Sequence, residues 1–149
     1  MQRLKRYLDT PRPERAFLLR AAVLLIAVAA MLRLGGLETT LRLLGRRLPA
    51  PLTASSIPPA RIAETRRTAE LIGIAARRLP VNATCLRQSV LLWFLLRRRR
   101  LPAMLRLGVA VTEAFQAHAW VEIDGTVIND SEHVAQRFTV LHETTGVGA

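Results

Sequence analysis

The chain has a single cysteine, a single lysine and few aromatic residues, 5% of its 149, and each shortage excludes something. A lone cysteine closes no internal disulfide, so Cys85 is either a buried thiol or a reactive one, and the chain suits a reducing, cytoplasmic compartment. Scarce aromatics beside 50% apolar residues describe a core of Leu, Val, Ile and Ala, and argue against disorder. With Lys5 the one lysine, 21 of the 22 basic residues are arginine. The net charge of +11 favours acidic partners. Yet the arginines fall in short scattered clusters, such as Arg66-Arg67 and Arg97 to Arg100, with no nucleic-acid-binding motif around them, and nucleic acid is not an expected partner. The length suits one domain with a real core rather than two.

No apolar run is long enough to read plainly as a membrane span. The stretch from Ala21 to Leu32 holds 12 uninterrupted apolar residues, against the roughly 18 to 20 that a bilayer requires. Residues 16–34 are therefore expected to form a buried or membrane-surface helix, broken by Gly35-Gly36. Leu37 to Leu48 reads as a second, amphipathic helix. The Pro/Ser/Ala stretch of residues 51–58 is a linker, dividing an N-terminal hydrophobic helical region (1–50) from a core (59–149), the two forming one compact unit. A third helix runs from Pro59 to Leu79. A fourth begins after Asn82 and is apolar nearly all round, the mark of a central helix; Arg97 to Arg100 form its solvated end, where cations meet the negative end of the dipole. Beyond Pro102 the period changes to two. Strands are expected at Leu105 to Val111, Ala117 to Ile123 and Thr126 to Asp130, with a short one near Arg137 to Leu141 and a hairpin turn at Asp124-Gly125. The fold class is α+β: N-terminal helices, then a central Cys-bearing helix packed on a small antiparallel sheet.

The chemistry centres on Cys85. The first turn of a helix lowers a thiol pKa through its oriented N–H groups, and Asn82 as N-cap would place Cys85 at the third helical position. The same N–H groups can donate to an oxyanion. Among three histidines, His118 sits in mid-strand between small residues that leave room above its ring, whereas His133 and His142 fall in polar surroundings. A two-residue turn at Asp124-Gly125 would pair Ile123 with Thr126 and put Ser131 opposite His118. A three-residue loop would pair Glu122 with Thr126 and make His118 and Asp130 direct cross-strand neighbours, close enough for the carboxylate to hold the imidazole. The second register also puts Ala119, Val121, Ile123 and Val127 on one face, with His118, Trp120, Ile128 and Asp130 on the other, and it is the one expected. A Cys85, His118, Asp130 triad follows.

The segments "CLRQSVLLWFLLRRRRLPAMLRLGV" and "FQAHAWVEIDGTVIND" resemble the leader peptidases of lasso-peptide biosynthesis, a transglutaminase-like, papain-related cysteine protease family. The resemblance covers about residues 60–142. It implies Cys85 as nucleophile, His118 as general base and Asp130 as orienting acid, with neither metal nor cofactor. It also implies proteolytic removal of the leader from a ribosomal precursor peptide, which frees the core α-amine for a partner ATP-dependent cyclase. Fused members carry a precursor-recognition domain; the apolar first 50 residues leave no room for one here, so the resemblance is to the stand-alone protease, served by a separate recognition protein. One departure concerns the oxyanion: papain-type enzymes place a Gln six residues before the nucleophile, and that position is Leu79, leaving Asn82 and Trp120 as alternative donors. Two other functions fit the same residues. One is transglutaminase-type acyl transfer with the same triad; the other is a non-enzymatic membrane-surface or binding protein in which Cys85 is core filler and residues 16–34 make the contact.

Overall fold

The computed structural model describes residues 12–52, 57–80, 84–111 and 115–144. Helix α1 spans Arg12–Gly45 as two helical segments joined at a kink: the expected break falls at Gly36, whose φ of 69° lies in the left-handed region that glycine enters without a Cβ penalty, and the second segment ends at Gly45 rather than Leu48. Thr40, fully buried, donates its hydroxyl to the Gly36 carbonyl (2.7 Å), one turn back at the kink. Helix α2 (Pro59–Ala76) starts with a proline in its first turn and ends three residues short of Leu79. Helix α3 (Cys85–Arg98) follows, then β1 (Ala103–Val111), β2 (Phe115–Ile123), β3 (Thr126–Val127), the short helix α4 (Val134–Arg137) and β4 (Thr139–Glu143). The sheet is antiparallel throughout, in the order β3-β2-β1-β4, and the α+β class expected from the change of period is what forms.

Helix α3 is the central post. Val90, Leu91, Leu92 and Leu96 are all but inaccessible, packed with Leu18, Ala21, Leu25 and Val28 of α1, with Leu71, Ile72 and Ala75 of α2, and with Leu105, Val121 and Ile123 of the sheet. Each such aliphatic side chain contributes about 1.5–3 kcal/mol by leaving water. Arg97 is buried as well, 7% exposed, so the basic end of this helix is only partly the solvated cluster expected; burial lowers the pKa of its guanidinium. The opposite face of the sheet carries a smaller core of Trp120, Val127, Val134 and Phe138.

The hairpin differs from the expected register. Ile123 pairs with Thr126 and Glu122 with Val127, which is the two-residue turn, with Asp124 (φ 47°) and Gly125 (φ 76°) both left-handed as a type I′ turn requires. The faces of Val127 and Ile128 are accordingly exchanged: Val127 joins Trp120, while Ile128 joins the helix-side core with Val121 and Ile123. A shift of one residue inverts every side chain, and the tight Asp-Gly turn decides it.

Candidate active site

Helix α3 begins at Cys85 itself, with Thr84 in the N-cap position and no side-chain cap. The expected cap, Asn82, lies outside the described residues. Cys85 is thus the first rather than the third helical residue, two positions nearer the positive end of the helix dipole. The first intrahelical bond is that of the Gln88 N–H to the Thr84 carbonyl (3.2 Å), so the Cys85 and Leu86 amides precede it. The thiol is partly exposed.

His118 and Asp130 do meet, although the expected register is not the one that brings them together. The ladder between β2 and its partner runs only to the bond from the Ile128 N–H to the Val121 carbonyl (2.9 Å). There the strand stops, and the Asn129 side chain replaces it: Asn129 Oδ1 accepts the Val121 N–H (2.8 Å), and Asn129 Nδ2 donates to Ser89 Oγ (2.8 Å). Ser89, wholly buried, donates in turn to the Ala119 carbonyl (2.9 Å). Freed from the ladder, the next residue swings to the vacated edge of β2, where the Asp130 carboxylate binds His118 Nε2. Asp130 Oδ1 also accepts the Ser131 N–H (2.6 Å). Burial pushes the Asp130 pKa up, but the hydrogen bonds from His118 and Ser131 outweigh it, and the carboxyl titrates below its ordinary range.

An ionised carboxylate is acceptor-only, so Nε2 must carry the proton it shares with Asp130. Nδ1 is then the ring nitrogen with a free lone pair, the one able to take a proton from a nucleophile. The ring is not left open by small neighbours as the sequence suggested: it stacks on Phe138 (centroids 5.0 Å apart) and lies 6.2 Å from the Trp120 ring. Gly108, opposite His118 in the β1–β2 ladder, makes room for this stack, since a Cβ there would come within 2.9 Å of the Phe138 Cβ and 3.0 Å of the Trp120 ring.

The structure therefore brings the histidine and the acid into contact, and anchors the helix that starts with Cys85 to the same stretch of β2 through Ser89, one turn further along. Among the described residues no hydrogen bond joins the thiol to His118. Trp120 is excluded as an oxyanion donor, because its indole N–H donates to Glu122 (2.7 Å), which also binds Arg106 Nε (2.6 Å). Leu79 packs against the helical core. Ser89 and Asn129 were missed in the sequence. Their signals were a hydroxyl on an otherwise apolar helix face and an asparagine directly before the acid.

Residues 22–143 match the sequence profile of the transglutaminase-like superfamily. A stretch of 62 residues is 39% identical to the microcin J25-processing protein McjB of Escherichia coli, covering 42% of this chain and 29% of that relative, so the chain matches under a third of the relative's length. No solved structure matches significantly.

Proposed function

Because the chain belongs to the transglutaminase-like superfamily, we propose that it is a cysteine peptidase that removes the leader from a lasso-peptide precursor. The observation that carries this reading is the His118–Asp130 pair, which leaves Nδ1 to serve a thiol, at the strand edge to which the Cys85 helix is anchored. The similarity to a microcin J25-processing protein supports the choice of a ribosomal precursor peptide as substrate.

Cys85, His118 and Asp130 are the catalytic residues of this reading. His118 Nδ1 takes the thiol proton as Cys85 Sγ attacks the carbonyl at the leader–core junction. The charge that develops on the carbonyl oxygen is stabilised by first-turn amides of α3, the Cys85 N–H among them. The imidazolium, held by the Asp130 carboxylate, gives its proton to the departing core amine. Water, deprotonated by His118, then hydrolyses the thioester and restores the thiol. The freed α-amine is the nucleophile for an ATP-dependent cyclase, and a separate recognition protein delivers the leader. The peptidase works in the cytoplasm at the membrane periphery, with α1 as its contact.

Purified protein, a cognate precursor and its recognition protein test the reading. Cys85→Ala and His118→Ala should each lower cleavage by about 10³-fold or more, Cys85→Ala at the parent unfolding temperature and His118→Ala with the fold kept, as read by circular dichroism. Normal cleavage by Cys85→Ala would end the hypothesis.

A further inference from the structure

A cleft of about 640 Å³ lies between α2, α3 and the segment that follows β3, within the range of sites that take a small ligand or a short peptide segment. On α3 its wall is Gln88 and Leu92. Cys85, Gln88 and Leu92 stand at helical spacing on one side of α3, so the cleft follows the stripe that begins with the thiol. The lining also includes Asp130, the partner of His118, while Cys85 and His118 stand outside it. The floor is aliphatic and nearly inaccessible, with Ile72 and Leu92 at 1% and Ile128 at 4% exposure, while Arg66, Glu70, Arg77 and Glu132 form a charged rim of both signs. A rim of mixed sign selects no net charge, and an aliphatic floor takes an uncharged side chain.

The α2 wall is lowered where it matters. Gly73 has no side chain, and a Cβ built there points between Arg77 Nη1 (3.5 Å) and Gln88 Oε1 (3.6 Å), both cleft residues. Nothing backbone-related requires glycine at this helical position, where it costs helix stability relative to alanine. Its effect is to keep the cleft open beside the start of α3.

We propose that this cleft is a substrate subsite, holding in extended form the few residues next to the scissile bond and seating one uncharged side chain on the Ile72, Leu92 and Ile128 floor. It rests on the peptidase reading, and supplies the orientation that brings the carbonyl to Cys85. Gly73 and Ala69, one turn apart on α2, are specificity-determining positions.

The test uses the full chain with its recognition protein, a precursor peptide spanning the leader–core junction, and iodoacetamide. Gly73→Leu, which raises helix propensity, and Ala69→Leu should each raise KM for the peptide at least tenfold, and weaken its binding in a Cys85→Ala background to the same degree. The rate of Cys85 alkylation by iodoacetamide, which needs no subsite, should stay within twofold of the parent in both. A parent that cleaves, with both variants folded by circular dichroism and unchanged in KM, overturns the subsite and leaves the peptidase intact. A parent that neither cleaves nor alkylates faster than an ordinary thiol overturns both.

Discussion

At the scale of single residues, the site depends on one proton and one missing methyl group. Asp130 is an acceptor only while ionised, and its folded pKa is depressed, so its contribution to stability is complete above the unfolded value near pH 4 and disappears as pH falls through the lower folded value. Asp130→Asn removes that dependence. Urea titrations of parent and variant should therefore converge on acidification below about pH 4 and separate above it, and parallel curves at every pH would disprove the role. The same variant should lower kcat by about 10²–10⁴-fold, because an amide no longer fixes the proton on Nε2 or stabilises an imidazolium. Gly108 acts by absence: a Cβ would overlap Phe138 and Trp120. Gly108→Ala should destabilise by about 1–3 kcal/mol and displace the ring that stacks on His118, read as a lowered unfolding midpoint together with a shifted imidazole resonance. An unshifted resonance would mean that the stack does not position His118.

At the scale of elements, the decisive device is the pair Ser89 and Asn129, which ties α3 to β2 and ends the strand in the same stroke. Removing the hydroxyl leaves the Ala119 carbonyl and the Asn129 amide buried without this partner, and removing the amide leaves Ser89 Oγ and the Val121 N–H in the same position. Ser89→Ala and Asn129→Ala should each cost about 1–3 kcal/mol in urea unfolding, and the double variant should cost clearly less than their sum, since the two share one network. Strict additivity would show that they act independently. This device also explains what was legible in the sequence. The order of helices and strands and the central place of α3 were readable, because apolar period and residue type are local properties. The register was not, and the partnership of His118 with Asp130 was reached through a register that does not form. Continuing the two-residue turn by count alone puts Ser131 opposite His118, and only a strand that stops at Val127, with a side chain substituting for the ladder, lets Asp130 arrive there instead. Whether backbone or side chain takes a given hydrogen bond is settled by tertiary context, here by a buried serine forty positions earlier. The cap of α3 failed for a related reason: helix starts are set within a residue or two by surroundings that sequence does not display.

For the whole molecule, the proposed membrane contact turns on the balance of surfaces on α1. Leu18, Ala21, Leu25 and Val28 pack into the core, and Glu14 pairs with Arg67 of α2 (2.9 Å). By length and composition the helix from Glu14 to Gly45 could cross a membrane, yet it lies along the domain. Its opposite side, at helical spacing, shows Leu19 (61% exposed), Val23 (66%), Ile26 (50%) and Leu34 (88%), with the exposed alanines 16, 27 and 30 between them. Arg20 and Arg33 flank this stripe, both exposed. An aliphatic stripe bordered by arginines suits a helix lying in the plane of an anionic surface, the aliphatic side chains entering the acyl boundary and the guanidinium groups reaching the phosphates. The chain's charge of +11 adds long-range attraction to the same surface. The protein should therefore sediment with vesicles containing phosphatidylglycerol and much less with phosphatidylcholine alone, with binding that falls as salt rises. The double variant Leu19→Ser, Val23→Ser should lose this binding and keep its unfolding midpoint, because neither side chain is packed in the core. Failure of the parent to bind, or a dimer in sedimentation equilibrium that the double variant dissociates, would replace the bilayer with a second copy of the chain as the occupant of this face.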